Sequence, residues 1–575
     1  MKKLTLFACA FLLTSIAFTS CKDKENEPTK QEEVVKTEFS IALPDQVKSK
    51  NRMPSSTVQI GGRTEFQGMT GITLIPFVKT SAILSTDTRL GDNITLTDIA
   101  DASALGTNSN AKVYTDVAIP LTTSAFLFYA KSAATGSKFE VGSLEEANAL
   151  AVNTDEPADL LFELEPIQGD YNTNIKNNAD AVALVAYLNS IANATDGTKA
   201  WKAYNTTDGD DAAMIAMFET YSTLHVLSSA GVARMLVDLY NSLDPFSTTL
   251  ATNIKAAIAN TTYATLGGSA GARTLTLVNA NFPISLNLPS ESVHITWDTD
   301  HFRICESTEY TTANHANPSL ITYPASLWYF ANSRINTSNQ SQKDRYNGTN
   351  TWSQILGYHT DATAVNTKTR AVAITDPIQY AVARLDVQVK LASGTLDDNT
   401  PVTAQEITCA SYPVTAVLVG GQKNVGFDFQ PVGTTDYMIY DKVMTSSTMA
   451  ATTSYSDMNS TLVLETAEDA GGHAQDVRIA VEFTNASGKD FIGVDGCLIP
   501  AGGKFYVVAT LEADDATETG NKVFKQDYTT TVKLNLLTLK GAYNTIPDLR
   551  TPKLELGFSV DLDWTAGHTY EVNIN

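Results

Sequence analysis

Near its end the chain places Leu554, Leu556, Phe558, Val560, Leu562 and Trp564 at every second position. A strict period of two puts all six on one face of an extended strand, whereas a helix would scatter them around its axis. Gly567 interrupts the pattern, and Tyr570, Val572 and Ile574 resume it. A strand at a chain end can pair inside its own domain or add to another chain's sheet, because main-chain hydrogen bonds and alternating side chains serve both arrangements equally. Asp561 and Asp563 alternate onto the opposite face, where solvation accounts for them.

The same texture runs through most of the sequence. Short apolar runs bounded by Gly, Pro and Thr, at Gly71 to Phe77 and Ala125 to Ala130, predict buried strands. Further strands are predicted around Leu275 to Val278, His294 to Trp297, Tyr323 to Phe330, Ala371 to Ile374, Leu385 to Val389, Val414 to Val419, Thr461 to Thr466, Val477 to Phe483 and Phe505 to Leu511. Between Asn178 and Asn260 the spacing changes to threes and fours, as in Val232, Met235, Leu236, Leu239 and Leu243, which predicts a helical insertion. The fold class expected is mainly β. With 575 residues the chain exceeds one ordinary core, and two domains with a boundary near residue 370 fit the distribution of strands.

The N-terminus adds a different signal. Lys2 and Lys3 precede an apolar run from Leu4 to Ile16, and Phe18-Thr19-Ser20-Cys21 closes it, the pattern of a secretory signal peptide over residues 1–20. The cluster resembles a bacterial lipobox, which would make Cys21 the lipidated residue. Residues 21–36 begin with a polar, charged run suited to a solvated tether, and its acidic character resembles the surface-export signal of Bacteroides-type lipoproteins. The localisation expected is the outer membrane. No later segment has eighteen uninterrupted apolar residues, so attachment to a bilayer is expected through lipid on Cys21.

After the tether, Val35, Thr37, Phe39, Ile41 and Leu43 alternate on one face until Pro44 ends the strand. Arg52 follows in a polar stretch containing Pro54, open to a protease, with Arg63 as an alternative site and Lys48 and Lys50 nearby.

Several chemistries are disfavoured. A formal charge of −23 opposes binding to nucleic acid or an anionic membrane. Cys305, Cys409 and Cys497 are widely spaced, with no CxxC or Cys/His metal pattern, and read as small buried hydrophobes. His294, Asp298, Asp300 and His301, read as one strand, put His301 on the face away from the others, so no tetrahedral metal site is expected. Asp208, Asp210 and Asp211 lack the glutamate of a calcium loop, and Gly267 to Gly271 lacks the lysine of a P-loop and reads as a flexible turn. No Gly-x-Ser-x-Gly elbow is present, and neither an enzyme nor a cofactor is expected.

Taken in order, other segments carry a resemblance. They are Phe66-Gln67-Gly68-Met69 before Ile72 to Phe77, Val113-Tyr114 with Ile119-Pro120, Tyr323 to Tyr329, Pro377 to Leu385, Gly420-Gly421-Gln422-Lys423, Gln526-Asp527-Tyr528, and Ala542 to Leu549 with Leu554 to Gly557. Each is common alone; their order along one lipoprotein-like chain resembles the fimbrillin, or type V pilin, family of Bacteroides-like bacteria, near its Mfa-like branch. The resemblance implies two tandem transthyretin-like β-sandwich domains, here residues 37–370, with the helical insertion at about 176–262, and residues 371–575. It also implies a subunit whose first strand is removed by a trypsin-like maturation protease, after Arg52 in this chain. The C-terminal strand of another fimbrial subunit would then fill the opened groove. The outcome would be a surface fimbrium contributing to adhesion, with a host or bacterial surface ligand. The competing expectation is a surface glycan-binding lipoprotein, for which Trp201, Trp328 and Trp352 would have to be exposed platforms.

Overall fold

A computed structural model of the chain describes residues 34–42, 68–78, 89–101, 111–120, 125–133, 142–167, 179–192, 249–259, 264–269, 272–277, 295–298, 301–304, 317–332, 370–373, 378–391, 411–447, 456–513, 522–550 and 558–565, with residues 104 and 123 and most of 236–241. The protein is mainly β, as its alternating patterns require. One sheet runs in the order Ile321–Thr322, Pro431–Ser447, Val414–Gly426, Val477–Thr484, Lys504–Leu511, with Leu161–Leu164 added beside Val414–Gly426 and Leu144–Glu146 paired to Leu161–Leu164. A second runs Gln379–Tyr380, Trp328–Asn332, Ala125–Lys131, Thr70–Val78, Arg89–Leu90. A third runs Ser456–Val463, Ala383–Leu391, Thr529–Leu536, Phe558–Thr565, and a three-stranded sheet sets Val34–Ala42 between Arg370–Ala373 and Ala111–Pro120.

Apolar side chains gather in two cores. The first holds Phe39, Ile72, Leu74, Phe126, Phe128, Phe162, Trp328, Phe330 and Tyr380, together with Val425, Phe429, Leu462 and Leu464 from much later in the chain. The second begins at Ala383 and takes in Val417, Ile439, Val481, Phe505, Val532 and Leu534. Strand length explains why the cores are stitched together. Val414–Gly426 has 13 residues and Pro431–Ser447 has 17, and at about 3.3 Å per residue these run roughly 40 to 55 Å, more than one core is deep.

The joint lies at Gly420-Gly421. Before it, Val414–Val419 pairs with Phe483–Ile479; beyond it, Val425 and Gly426 pair with Phe162 and Leu161. The register with the return strand shifts between Val419 and Gln422. Gly421 takes φ +69°, open to glycine without penalty, and a Cβ on Gly420 would stand 3.0 Å from Leu549 Cβ and 3.2 Å from the Arg478 carbonyl. The side chain of Gln422, fully buried, accepts a hydrogen bond from Leu464 N at 2.7 Å.

The turn at the tip of this hairpin presents Phe429 to the first core. Its ring centroid lies 4.9 Å from Phe162, 5.7 Å from Trp328 and Phe330, and 5.9 Å from Tyr129, whose hydroxyl donates to the Phe427 carbonyl at 2.5 Å. Phe429 does this at φ 59°, a strained conformation for a bulky residue, which the surrounding rings hold in place.

Helices Ala179–Ala192 and Thr249–Ile258 lie within the segment where helical spacing was expected. Leu184, Tyr187, Leu188 and Ile191 are buried at helical spacing, as are Leu236 and Leu239. Tyr187 donates to the Ile258 carbonyl at 2.9 Å, and the Asn189 side chain brackets Phe302, donating to its carbonyl at 2.6 Å and accepting from its N–H at 2.5 Å.

Two local expectations are corrected. The segment around His294 to His301 does not run as one strand: Ile295–Asp298 and His301–Ile304 pair antiparallel, so Asp298 and His301 stand opposite each other. Alternation along one strand therefore does not govern them. Gly267 and Gly268 lie within strand Ala264–Ser269, paired with Thr274 and Arg273, because a ladder needs only backbone groups and glycine supplies them.

Substituting Phe429→Ala is expected to lower the unfolding free energy by about 3 to 5 kcal/mol, read from denaturant midpoints, since the ring fills a closed aromatic site.

Candidate functional site

The first strand, Val34–Ala42, lies inside its sheet. It runs antiparallel to Ala111–Pro120, from Val34 opposite Pro120 to Ala42 opposite Ala111, and parallel to Arg370–Ala373, with Thr37 to Ser40 opposite Arg370 to Ala373. Val35 stands opposite Ile119, and Thr37 opposite Val117. The antiparallel register shifts between Thr37 and Phe39, where Thr115 and Asp116 face the single residue Glu38, a bulge that Asp116 accommodates at φ 60°.

Among its described side chains, Phe39 and Ile41 anchor this strand. Phe39 is 0 % and Ile41 1 % exposed, while Val34, at the strand's start, is 54 % exposed. The Phe39 ring meets Phe126 edge-on at 6.1 Å, and burial of two such side chains contributes about 1.5 to 3 kcal/mol each. Tyr114 lies opposite Phe39, and its hydroxyl donates to the Thr97 carbonyl at 2.8 Å. Burial first, and then the charge of Asp98, push its phenol up to about 12.

The terminal strand Phe558–Thr565 is paired along its whole length with Thr529–Leu536 and forms an edge of its sheet. Phe558, Val560, Leu562 and Trp564 stand opposite Leu536, Leu534, Val532 and Thr530, all four of which are buried. Val560 is half-buried and packs against the second core. Asp561 lies opposite Lys533, and Asp563 opposite Thr531. In this chain, then, Phe558–Thr565 pairs within its own sheet.

Cys21, Leu43, Arg52, Arg63, Leu554, Leu556, Tyr570, Val572 and Ile574 lie outside the described residues, as do Trp201, Trp352, Cys305, Cys409 and the aspartates at 208, 210 and 211. Trp328 is 6 % exposed and packs edge-on against Phe162 at 5.3 Å. Cys497 is half-buried; its thiol donates to the Ala542 carbonyl at 3.4 Å, and burial pushes its pKa up. Among the described residues no group of three or more His, Cys, Asp or Glu side chains is placed to hold a metal ion, and no helix is long and apolar enough to cross a membrane.

Beside the first strand, a cleft of about 690 Å³ opens between residues 92–97 and the strand Ala111–Pro120. Asn93, Thr95, Thr97, Thr115 and Asp116 line it, with Val34 at its rim and Tyr114 as its aromatic wall.

Neither a family model nor a curated protein sequence matches the chain. Among solved structures it is similar to a candidate cell adhesion protein from Bacteroides eggerthii, at 9 % identity and TM-score 0.33, over 92 % of this chain and 96 % of that one. It is also similar to a candidate adhesin from Bacteroides ovatus, at 6 % identity and TM-score 0.30, over 93 % and 97 %. A third is the fimbrial anchor protein Mfa2 from Porphyromonas gingivalis, at 8 % identity and TM-score 0.28, over 93 % and 100 %.

Tyr114 gives the site a pH dependence. Its folded pKa, about 12, exceeds the ordinary 10.0. Its contribution to stability is therefore complete below pH 10.0, declines as the unfolded chain loses its proton first, and is gone above about 12. Tyr380, Tyr440 and Tyr506 are raised in the same direction by burial first. Denaturant midpoints are expected to fall steadily across that window; a flat profile would contradict the assignment.

Proposed function

We propose that this chain is a fimbrial subunit or an accessory adhesin, assembled by protease-triggered strand exchange and contributing to cell adhesion. One observation carries the reading. The segment Phe39-Ser40-Ile41-Ala42-Leu43, in which Phe39 and Ile41 are buried, is echoed near the terminus by Phe558-Ser559-Val560-Asp561-Leu562. Aromatic, serine and aliphatic residues recur at the same spacing, so a tail can present to the slot the side-chain series that the first strand presents. The slot lies between Ala111–Pro120 and Arg370–Ala373, and emptying it leaves two unpaired strand edges beside an apolar core.

In this scheme lipid on Cys21 carries the precursor to the outer membrane, and a trypsin-like protease cuts after Arg52, with Arg63 as the alternative. The strand containing Val35, Thr37, Phe39, Ile41 and Leu43 then leaves. The tail from Leu554 to Ile574 of another fimbrial subunit takes its place. The two cores would correspond to two transthyretin-like sandwich domains, and the helices would decorate the first. The chain performs no chemistry on a substrate, and its ligand would be a molecule on a host or bacterial surface.

A second reading, a surface glycan-binding lipoprotein, is favoured by the hydroxyl- and amide-lined cleft beside Val34. Trp328 offers it no platform, since that ring is buried in the first core.

Treatment of the purified precursor with a trypsin-like protease is expected to give a new N-terminus directly after Arg52 and a ladder of multimers. Deleting residues 554–575 should abolish the ladder without affecting the cut. A cleaved chain that stays monomeric with its tail intact would defeat strand exchange, and glycan binding by the uncut monomer would favour the second reading.

A further inference from the structure

Away from the first strand, the sheet of Val414–Gly426 buries an acid and an amine side by side. Glu482, on Val477–Thr484, is 0 % exposed, and Lys504, at the start of Lys504–Leu511, is 6 % exposed. The register sets Thr484 opposite Lys504 and Glu482 opposite Tyr506, so the two side chains are diagonal neighbours. Lys504 Nζ lies 2.9 Å from Glu482 Oε1. Three hydroxyls converge on the same carboxyl group: Thr415 donates to Oε1 at 2.5 Å, Tyr506 to Oε2 at 2.9 Å and Tyr440 to Oε2 at 3.2 Å.

We propose that Glu482 and Lys504 form a modification site at which the two side chains condense into an isopeptide bond linking neighbouring strands. Burial of an ion pair is costly, and transfer of the Lys504 proton to Glu482 removes both charges and leaves a free amine against a carboxylic acid. The amine lone pair attacks Glu482 Cδ and a C–N bond forms. The tetrahedral oxyanion takes hydrogen bonds from Tyr440 and Tyr506, donors already fixed in place. The C–OH bond then breaks, the hydroxyl leaves with a proton from the new ammonium nitrogen, and one water is released. Atoms and charge balance with no oxidant, nucleotide or second reactant.

Two features favour the reaction. The site holds nucleophile and electrophile together out of water, where proximity replaces a bimolecular encounter and the expelled water has bulk solvent to join. Lys442, which reaches solvent beside the pair, has its ammonium pushed down in pKa by burial and then by the charge of Lys504, while Glu482 pulls it the other way. A lowered pKa makes that ammonium a readier proton donor than an ordinary lysine. The hydroxyl trio would also serve a plain ion pair, so the covalent bond itself must be observed.

Tryptic digestion of the intact, denatured chain followed by mass spectrometry makes that observation. The expected product is a branched peptide joining Ile479–Lys489 to Asp490–Lys522, uncut after Lys504 and one water lighter than the two linear peptides together. The variant Lys504→Arg, which keeps the charge but cannot form the bond, should give only linear peptides cut after position 504. Linear Asp490–Lys504 and Phe505–Lys522 from the unaltered chain would mean an ion pair only, and would overturn the proposal whether or not the variant folds.

Discussion

A strand paired on both sides cannot leave its sheet without stranding two rows of backbone donors and acceptors, and this constraint governs the N-terminal half of the molecule. Val34–Ala42 occupies such a position, with Ala111–Pro120 on one side and Arg370–Ala373 on the other. Among its described side chains, Phe39 and Ile41 are the buried ones. Under the proposed exchange, backbone pairing would set where a replacement lies, and the sites of Phe39 and Ile41 would set which residues it brings. A segment with an aromatic and an aliphatic residue two apart meets both conditions, and the chain contains a second such segment at Phe558 and Val560. Asymmetry in how the two segments are held matters as well, because among the described residues the terminal strand forms a sheet edge with one partner. Releasing an edge strand breaks one ladder, whereas releasing the first strand breaks two.

The slot would be of little use if its walls collapsed, and the aromatic cluster at Phe429 bears on that. Phe126, which meets Phe39, lies on the same strand as Tyr129, and Tyr129 packs against Phe162, Phe330 and Phe429. Phe429 comes from a hairpin whose other end belongs to the second core, so the wall behind the first strand is braced from the far half of the chain. That is why the hairpin is long, and why it carries glycines where it changes partners.

Much of this was legible in the sequence because period two survives wherever a strand has one wet and one dry face. The sequences of the first strand and the terminal strand are examples, whereas Thr70–Val78 and Ala125–Lys131, with runs of consecutive buried residues, read as short apolar runs. The longest strand, Pro431–Ser447, was not among those expected: Thr434, Thr435 and Asp436 interrupt its apolar pattern, and its stability comes from pairing with Val414–Gly426. Nor could local patterns reveal that Val425 and Phe429 pack with residues some three hundred positions earlier, since nothing nearby in the sequence encodes that contact. The hairpin at 295–304 was misread because only pairing, and not alternation, distinguishes one strand from two short ones. The repeat between Phe39 and Leu43 and between Phe558 and Leu562 was present throughout, but it stands out only when the two segments are compared with each other.

The central claim is that one slot accepts either segment, and a competition measurement tests it most directly. The chain cut after Arg52 and lacking its own tail would be titrated with two labelled peptides, one spanning Val34 to Leu43 and the other Leu554 to Trp564. The account predicts that each binds with one-to-one stoichiometry, that each displaces the other, and that replacing Phe558 by Asp in the second abolishes its binding. Binding of the first peptide that the second cannot displace, or no binding of the second at all, would contradict it.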